Sequence, residues 1–133
     1  MFVNSLLFNV MKIPKFEAQT EWVKPTEFPD LRKVDEIAID LETKDPDLIK
    51  KGSGSVIGNG EVIGIAVATK HYKGYFPIAH EGGGNMDRSR VLSWLKDIME
   101  SPSTKVFHNA IYDVCWLRAM GFKINGDIAC TMI

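Results

Sequence analysis

Residues 37–46 read IAIDLETKDP, and this stretch decides the fold. Apolar side chains alternate along it with a second set that includes Asp40 and Glu42, two residues apart. The apolar set consists of Ile37, Ile39 and Leu41. Because successive side chains of a β-strand point to opposite faces, the alternation predicts a strand over residues 35–42, with one apolar face and one face that carries two carboxylates.

The segments that follow predict two more strands and a glycine-rich connection. Residues 51–60 read KGSGSVIGNG and end on Asn-Gly, a dipeptide typical of hairpin turns. Residues 62–69 are almost continuously apolar, interrupted only by Gly64, as in a central strand covered on both faces. Residues 74–78 can pair beside them, so the three strands predict an antiparallel meander.

The second half of the chain predicts helix, strand and helix. Asp87 is placed to cap a helix whose apolar residues recur at helical spacing until Ser101. Residues 105–108 predict a short strand that leads directly into a second helix over residues 110–120, with Gly121 at its end. This order of elements indicates a mixed α/β domain.

Composition indicates one ordinary globular domain. The chain has 133 residues, of which 45% are hydrophobic and 25% charged, and its net charge is −1. These values exclude disordered, collagen-like and coiled-coil chains, and they imply no strongly basic surface for nucleic acid. The two cysteines, Cys115 and Cys130, show neither CxxC spacing nor a histidine at zinc-ligand spacing, which favours a reducing, intracellular setting.

The amino-terminal part predicts an extended lead-in over residues 1–33, which contain three prolines, followed by a domain over residues 34–133. The apolar residues 1–11 are too few to span a bilayer, so no membrane association is expected. Met1 and Met11 are both compatible with the true start of the protein.

Three carboxylates are the candidate chemical groups. Asp40 and Glu42 leave the same face of the strand, about 6–7 Å apart along the backbone. Asp113 lies in the middle of an otherwise apolar helix, and Asn109, four residues earlier, is placed to cap that helix on the same side. Hard oxygen ligands without a histidine or cysteine cluster favour Mg²⁺ or Mn²⁺ over zinc.

Spacing alone supports an alternative equally well. In that interpretation Asp40 and Glu42 end an exposed edge strand, and Asp113 pairs with Arg118 or Lys44. One further pattern carries less weight. His80-Glu81 and the three glycines after it lack the Gly-Lys-Ser/Thr of a phosphate-binding loop, so they predict a turn.

Two motifs resemble those of a known enzyme family. IAIDLETKDP, residues 37–46, resembles the Asp-x-Glu-Thr motif of the DEDD-type 3′-5′ exonucleases, and HNAIYD, residues 108–113, resembles their Asn-x-x-x-Asp motif. The glycine-rich hairpin and the segment GYFPIAHEGGGN look most like the proofreading domain of family A DNA polymerases, particularly those of phages. The resemblance implies an RNase H-like α/β fold.

The resemblance also implies roles for individual residues. Asp40, Glu42 and Asp113 would hold two divalent ions, Mg²⁺ or Mn²⁺, and act in catalysis. Thr43, Asn109 and Leu41 would lie near the 3′-terminal nucleotide. In the family scheme the two ions activate water for attack on the terminal phosphodiester of single-stranded DNA and stabilise the leaving 3′ oxygen, and a nucleoside 5′-monophosphate is released. The expected setting is the cytoplasm of a bacterium or a phage-infected host cell.

The chain departs from the family in its last part. The family's third motif, Tyr or His followed three residues later by a fourth Asp, does not occur in KINGDIACTMI, and Asp127 follows a probable turn at Gly126. Cys130 stands where the family often has Asp, and the final residues resemble the start of an apolar helix. We therefore expect a truncated domain, with a polymerase domain beyond it, that has low or no activity by itself.

Two other functions stay open on these residues. One is a stand-alone DEDD exonuclease that acts on RNA or DNA ends. The other is a module that binds nucleic acid, or serves as a scaffold, without catalysis. Metal binding that depends on Asp40 would distinguish the enzymes from the module.

Overall fold

The computed structural model describes residues 23–132. The two candidate start residues and most of the predicted lead-in lie outside the described residues, as does Ile133. Five strands form one mixed sheet in the order β3-β2-β1-β4-β5. They are β1 Glu36–Lys44, β2 Glu61–Ala68, β3 Lys73–Pro77, β4 Thr104–Phe107 and β5 Ile128–Cys130. The helices are α1 Leu48–Lys51, α2 Gly54–Ile57, α3 Arg88–Met99 and α4 Ala110–Ala119.

The sheet combines two kinds of pairing. β1, β2 and β3 form the predicted antiparallel meander, whereas β1 with β4 and β4 with β5 pair in parallel. The parallel connections run through α3 and α4, as expected for strands whose ends must be joined across the sheet. The mixed α/β architecture predicted from the sequence is confirmed.

The core lies on the apolar face of β1. Ile37 and Ile39 are 0% and 1% exposed, and they belong to one cluster with the buried residues of α3 and α4. The buried residues of α3 are Val91, Leu95, Ile98 and Met99. Asp87 caps α3 as predicted, since its side chain accepts hydrogen bonds from the backbone N–H groups of Ser89 and Arg90.

Residues 28–31 of the predicted lead-in contribute to this core. Leu31 is buried, and the ring of Phe28 stacks on Phe76 of β3 with the centroids 5.8 Å apart. The indole N–H of Trp94 donates to the carbonyl oxygen of Pro29 at 2.7 Å. Apolar and polar contacts together fix this segment against β3 and α3.

Two local predictions need correction. Residues 51–60, predicted as a glycine-rich connection, contain the end of the short helix α1 and the whole of α2, and the turn into β2 follows at Gly60, whose φ is +80°. The last described residues do not begin an apolar helix, because residues 128–130 form β5. The side chains of β5 are all exposed, so the strand has no buried face to give it an alternating pattern.

Lys105 is a buried cation inside β4. Its side chain is 0% exposed, and its ammonium group donates to the carbonyl oxygens of Ser101 and Asn125. Burial lowers the pKa of Lys105, while these acceptors satisfy its donors. The lysine thus ties the start of β4 to the turn before it and to the loop that leads to β5.

Within residues 23–132, no helix has the length and apolar character needed to cross a membrane.

Candidate metal centre

The first two candidate ligands lie where β1 extends past its neighbour. β1 pairs with β4 only over Glu36–Ala38, whereas its pairing with β2 continues to Lys44. Asp40 and Glu42 therefore stand beside an edge of β1 that β4 does not cover. Their side chains leave the face opposite the apolar core, so Asp40 is exposed and Glu42 is half-buried.

Helix α4 brings the third candidate to that edge. The chain leaves β4 and enters α4 at Ala110, which places Asp113 in the first turn of the helix. Asp113 is only 4% exposed, and the nearby backbone N–H of Leu41 favours the charged form of its carboxyl group. The carboxylate thus lies beside the part of β1 that β4 does not cover.

The three carboxylates share one electrostatic environment. Burial, together with the charges of Asp40 and Glu42, raises the pKa of Asp113 to about 7. Partial burial also raises the pKa of Asp40, and partial burial together with the charge of Asp40 raises that of Glu42. The influence of Asp40 and Glu42 on Asp113 indicates that the helix carboxylate lies near the two strand carboxylates.

Basic residues do not neutralise this group. The ion pairs in the described part of the chain leave out all three carboxylates, and Lys44 pairs with Glu81. The alternative in which Lys44 satisfies Asp113 is therefore wrong. Two histidines act only at longer range, where His108 lowers the pKa of Asp40 and His80 lowers that of Glu42.

This donor set fits a hard divalent cation. Three carboxylates that lack a basic partner need a cation to offset their charge, and oxygen ligands suit Mg²⁺ or Mn²⁺. Among residues 23–132, however, no three acidic, histidine or cysteine side chains are already gathered at ligand distance around one point. Without a cation, repulsion between the charges opposes such closure.

Thr43 is held in place by a polar network. The Tyr112 hydroxyl donates to Asp45 Oδ2 at 2.8 Å, so its oxygen accepts the hydrogen bond from Thr43 Oγ1, also at 2.8 Å. Asp45 in turn accepts from the backbone N–H of Gly54 at the start of α2. The network links the end of β1 to both α2 and α4.

Replacement of Tyr112 by Phe should weaken this network. The variant loses two partly buried hydrogen bonds, so we expect the free energy of unfolding to fall by about 1–2 kcal/mol, measured by urea denaturation. Thr43→Val removes one of the same bonds, and the double variant should therefore lose less than the sum of the single variants. Strictly additive losses would show that the two hydroxyls do not interact.

Asn109 and Leu41 occupy the site in different ways from those expected. Asn109 stands at the N-cap position of α4, but its side chain makes no capping hydrogen bond. Its backbone carbonyl oxygen accepts a hydrogen bond from the N–H of Asp113. The side chain of Leu41 is 6% exposed and packs in the core. Only the backbone of Leu41 therefore faces the carboxylates.

Asp127 is far from the other carboxylates along the sheet. It precedes β5, and Ile128 is level with Lys105 of β4 and with Ile37 near the amino end of β1. Glu42 lies at the other end of β1. The sheet register thus agrees with the prediction that Asp127 is a poor fourth ligand.

Two residues near the site were not predicted from the sequence. The Tyr75 hydroxyl and His80 Nε2 form a hydrogen bond of 2.5 Å, and the charges of Glu42 and Asp40 both act on Tyr75. The signal in the sequence was Gly64, since a glycine inside a strand often marks the close approach of another group.

Comparisons with known proteins agree with this geometry. Residues 26–133 match the family model described as 3′-5′ exonuclease. A DNA-directed DNA polymerase of Pseudomonas phage M6 is 41% identical over 116 residues, which cover 80% of this chain. The chain spans 17% of the length of that polymerase.

A solved structure shows the same fold. Brucella melitensis NrnC with bound Mg²⁺ superposes with a TM-score of 0.50 at 18% identity, covering 77% of this chain and 44% of NrnC. The predicted RNase H-like α/β fold is thereby confirmed. The exonuclease family implies a divalent metal cofactor. Given the match over residues 26–133 and the polymerase relative, the chain belongs to the DEDD-type 3′-5′ exonuclease family of family A DNA polymerases.

Proposed function

We propose that this chain carries the metal centre of a proofreading exonuclease, which removes the 3′-terminal nucleotide of single-stranded DNA as a nucleoside 5′-monophosphate. The observation that carries the proposal is that the buried Asp113 of α4 lies near Asp40 and Glu42 of β1, and that none of the three is in an ion pair among the described residues. In this proposal the domain covers residues 34–133, residues 1–33 are a lead-in, and a polymerase domain belongs to the full-length protein.

Each residue has a distinct task in this proposal. Asp40, Glu42 and Asp113 would hold two divalent ions, Mg²⁺ or Mn²⁺. When bound, such ions supply charge stabilisation at the scissile phosphate and lower the pKa of water. In this proposal the terminal nucleotide contacts Thr43, whose hydroxyl is hydrogen-bonded to Tyr112, and Asn109, whose side chain makes no capping hydrogen bond to α4.

Metal binding is the sharpest test of the site. Calorimetric titration of the 133-residue chain with Mn²⁺ should detect binding that Asp40→Ala abolishes. The loss should exceed the roughly 10–100-fold weakening that follows removal of an outer-shell partner. Asp127→Ala is the matched control, since it removes an exposed carboxylate at the other end of the sheet. Equal Mn²⁺ affinity in the Asp40→Ala variant and the wild type would show that the site assignment is wrong.

Substrate choice requires a second measurement. A single-stranded DNA oligonucleotide labelled at its 5′ end should be shortened stepwise from its 3′ end in the presence of Mn²⁺. An RNA oligonucleotide of the same sequence tests the stand-alone exonuclease alternative. Mn²⁺ binding without shortening of either strand would favour the non-catalytic module.

A further inference from the structure

Gly64 leaves room on the sheet for a tyrosine. Gly64 of β2 is the direct cross-strand partner of Glu42 on β1. A Cβ atom built on Gly64 would lie 1.8 Å from the Tyr75 hydroxyl oxygen and 2.3 Å from the ring carbon that bears it. The phenol therefore occupies the space that a side chain at residue 64 would fill.

That space adjoins the Glu42 side chain. Directly opposite residues of an antiparallel pair have Cβ atoms about 4.5–5.5 Å apart, so a group in the Cβ position of Gly64 is within reach of the glutamate. Ala66 of β2 lies opposite Asp40 on β1 and opposite Tyr75 on β3. Tyr75 therefore leaves the same face of the sheet as Asp40 and Glu42. Burial raises the pKa of Tyr75, and the charges of Glu42 and Asp40 add to this effect, in agreement with this placement.

A second set of contacts fixes the tyrosine. Its hydroxyl is hydrogen-bonded to His80 Nε2 at 2.5 Å, and the two rings meet edge to face. The backbone of His80 is held by the Asn85 side chain, which accepts from its N–H at 2.7 Å and donates to its carbonyl oxygen at 2.9 Å. The loop after β3 thus holds His80, and His80 holds Tyr75.

We propose that Tyr75 is a positioning residue for Glu42: its phenol, braced by His80 and admitted by the absence of a side chain at Gly64, confines the glutamate carboxylate to the orientation that binds metal. This inference rests on the proposed function, in which Glu42 is a metal ligand. It deepens that proposal by assigning a role to three residues outside the two exonuclease motifs.

The test is a Mn²⁺ titration of paired variants. Tyr75→Phe should weaken Mn²⁺ binding about tenfold, the lower end of the range for residues that orient a metal ligand. Glu42→Asp draws the carboxylate back from the phenol by one methylene group, so in this background Tyr75→Phe should change the affinity less than about twofold. Gly64→Ala should weaken binding at least as much as Tyr75→Phe, because it forces the phenol to move.

The neighbouring pair Tyr72 and Gly74 supplies matched controls. A Cβ atom on Gly74 would lie 2.5 Å from the Tyr72 hydroxyl oxygen, so Gly74→Ala creates a similar crowding away from Glu42. Tyr72→Phe and Gly74→Ala should leave the Mn²⁺ affinity unchanged, and thermal unfolding of each variant separates binding from folding.

The outcomes separate this inference from the proposed function. If Tyr75→Phe has no effect, or weakens binding equally in both backgrounds, Tyr75 does not act through Glu42 and the inference is wrong, while Asp40-dependent binding still supports the metal centre. If the wild type binds no Mn²⁺, or Asp40→Ala binds it unchanged, the metal centre and this inference fail together.

Discussion

The Asp113→Asn variant is expected to be more stable than the wild type at pH 8 without metal, and to bind no Mn²⁺. The carboxyl group of Asp113 is 4% exposed, and burial raises its pKa from 3.8 to about 7. At pH 8 the folded wild type must hold this group charged next to Asp40 and Glu42. An amide of the same shape avoids that cost and still offers an oxygen to the N–H of Leu41.

The pH dependence follows from the direction of this shift. Between about pH 4 and pH 7 the folded chain binds more protons at Asp113 than the unfolded chain, so the free energy of unfolding of the wild type falls as pH rises through that window. Below pH 4 the Asp113→Asn variant and the wild type should have similar stability. Above pH 7 the free energy of unfolding of the variant should be larger by about 2–4 kcal/mol, since one pKa unit corresponds to about 1.4 kcal/mol.

Thermal unfolding in EDTA across pH 4–8 checks this prediction. Asp127→Asn, which changes an exposed aspartate, should follow the wild type at every pH. With Mn²⁺ the wild type should become more stable than Asp113→Asn, because only the wild type binds the ion and a ligand that binds the folded state raises its stability. A variant that is less stable than the wild type at pH 8 in EDTA would contradict the prediction.

The second large effect is expected for Phe76→Ala. Phe76 of β3 is 0% exposed, and its ring centroid lies 4.5 Å from that of Trp94 and 5.8 Å from that of Phe28. Loss of such a ring leaves a cavity and should lower the free energy of unfolding by about 3–5 kcal/mol. Domains of this size are stable by only about 5–15 kcal/mol, so the variant should be close to unfolding at 37 °C.

Phe28→Ala measures how much the lead-in contributes to the stability of the core around Phe76. Phe28 is only partly buried, so its replacement should cost less than that of Phe76. Because the two rings share one contact, the double variant should lose less than the sum of the single losses in urea denaturation. Equal stability of the Phe28→Ala variant and the wild type would place the segment before residue 31 outside the folding unit.

Sequence patterns predicted the elements that have one buried face. The alternation around Ile39 identified β1, and helical spacing identified α3 and α4 close to their observed bounds. β5 was missed because its three side chains are all exposed, so no buried face imposes a pattern. The short helices α1 and α2 were missed because four residues are too few to show helical periodicity.

The candidate site was predictable only in part. Spacing placed Asp40 and Glu42 on one face, but the approach of Asp113 depends on where β4 ends beside β1, which periodicity does not describe. The resemblance to the exonucleases supplied that link. Tyr75 and His80 were missed because Tyr75 approaches Glu42 across Gly64 of β2. The register between strands, on which this approach depends, cannot be derived from the sequence of any one strand.

The unpaired edge of β1 also gives the site a spectroscopic reporter. The backbone N–H groups of Asp40 and Glu42 point toward β2 and should exchange slowly with deuterium, as in the interior of a sheet. The N–H of Leu41 lies on the other side of β1, beyond the end of β4, where it favours the charged form of Asp113. Its hydrogen–deuterium exchange rate should therefore follow the protonation of Asp113 and its engagement by metal, so that one amide resonance reports the state of the whole centre.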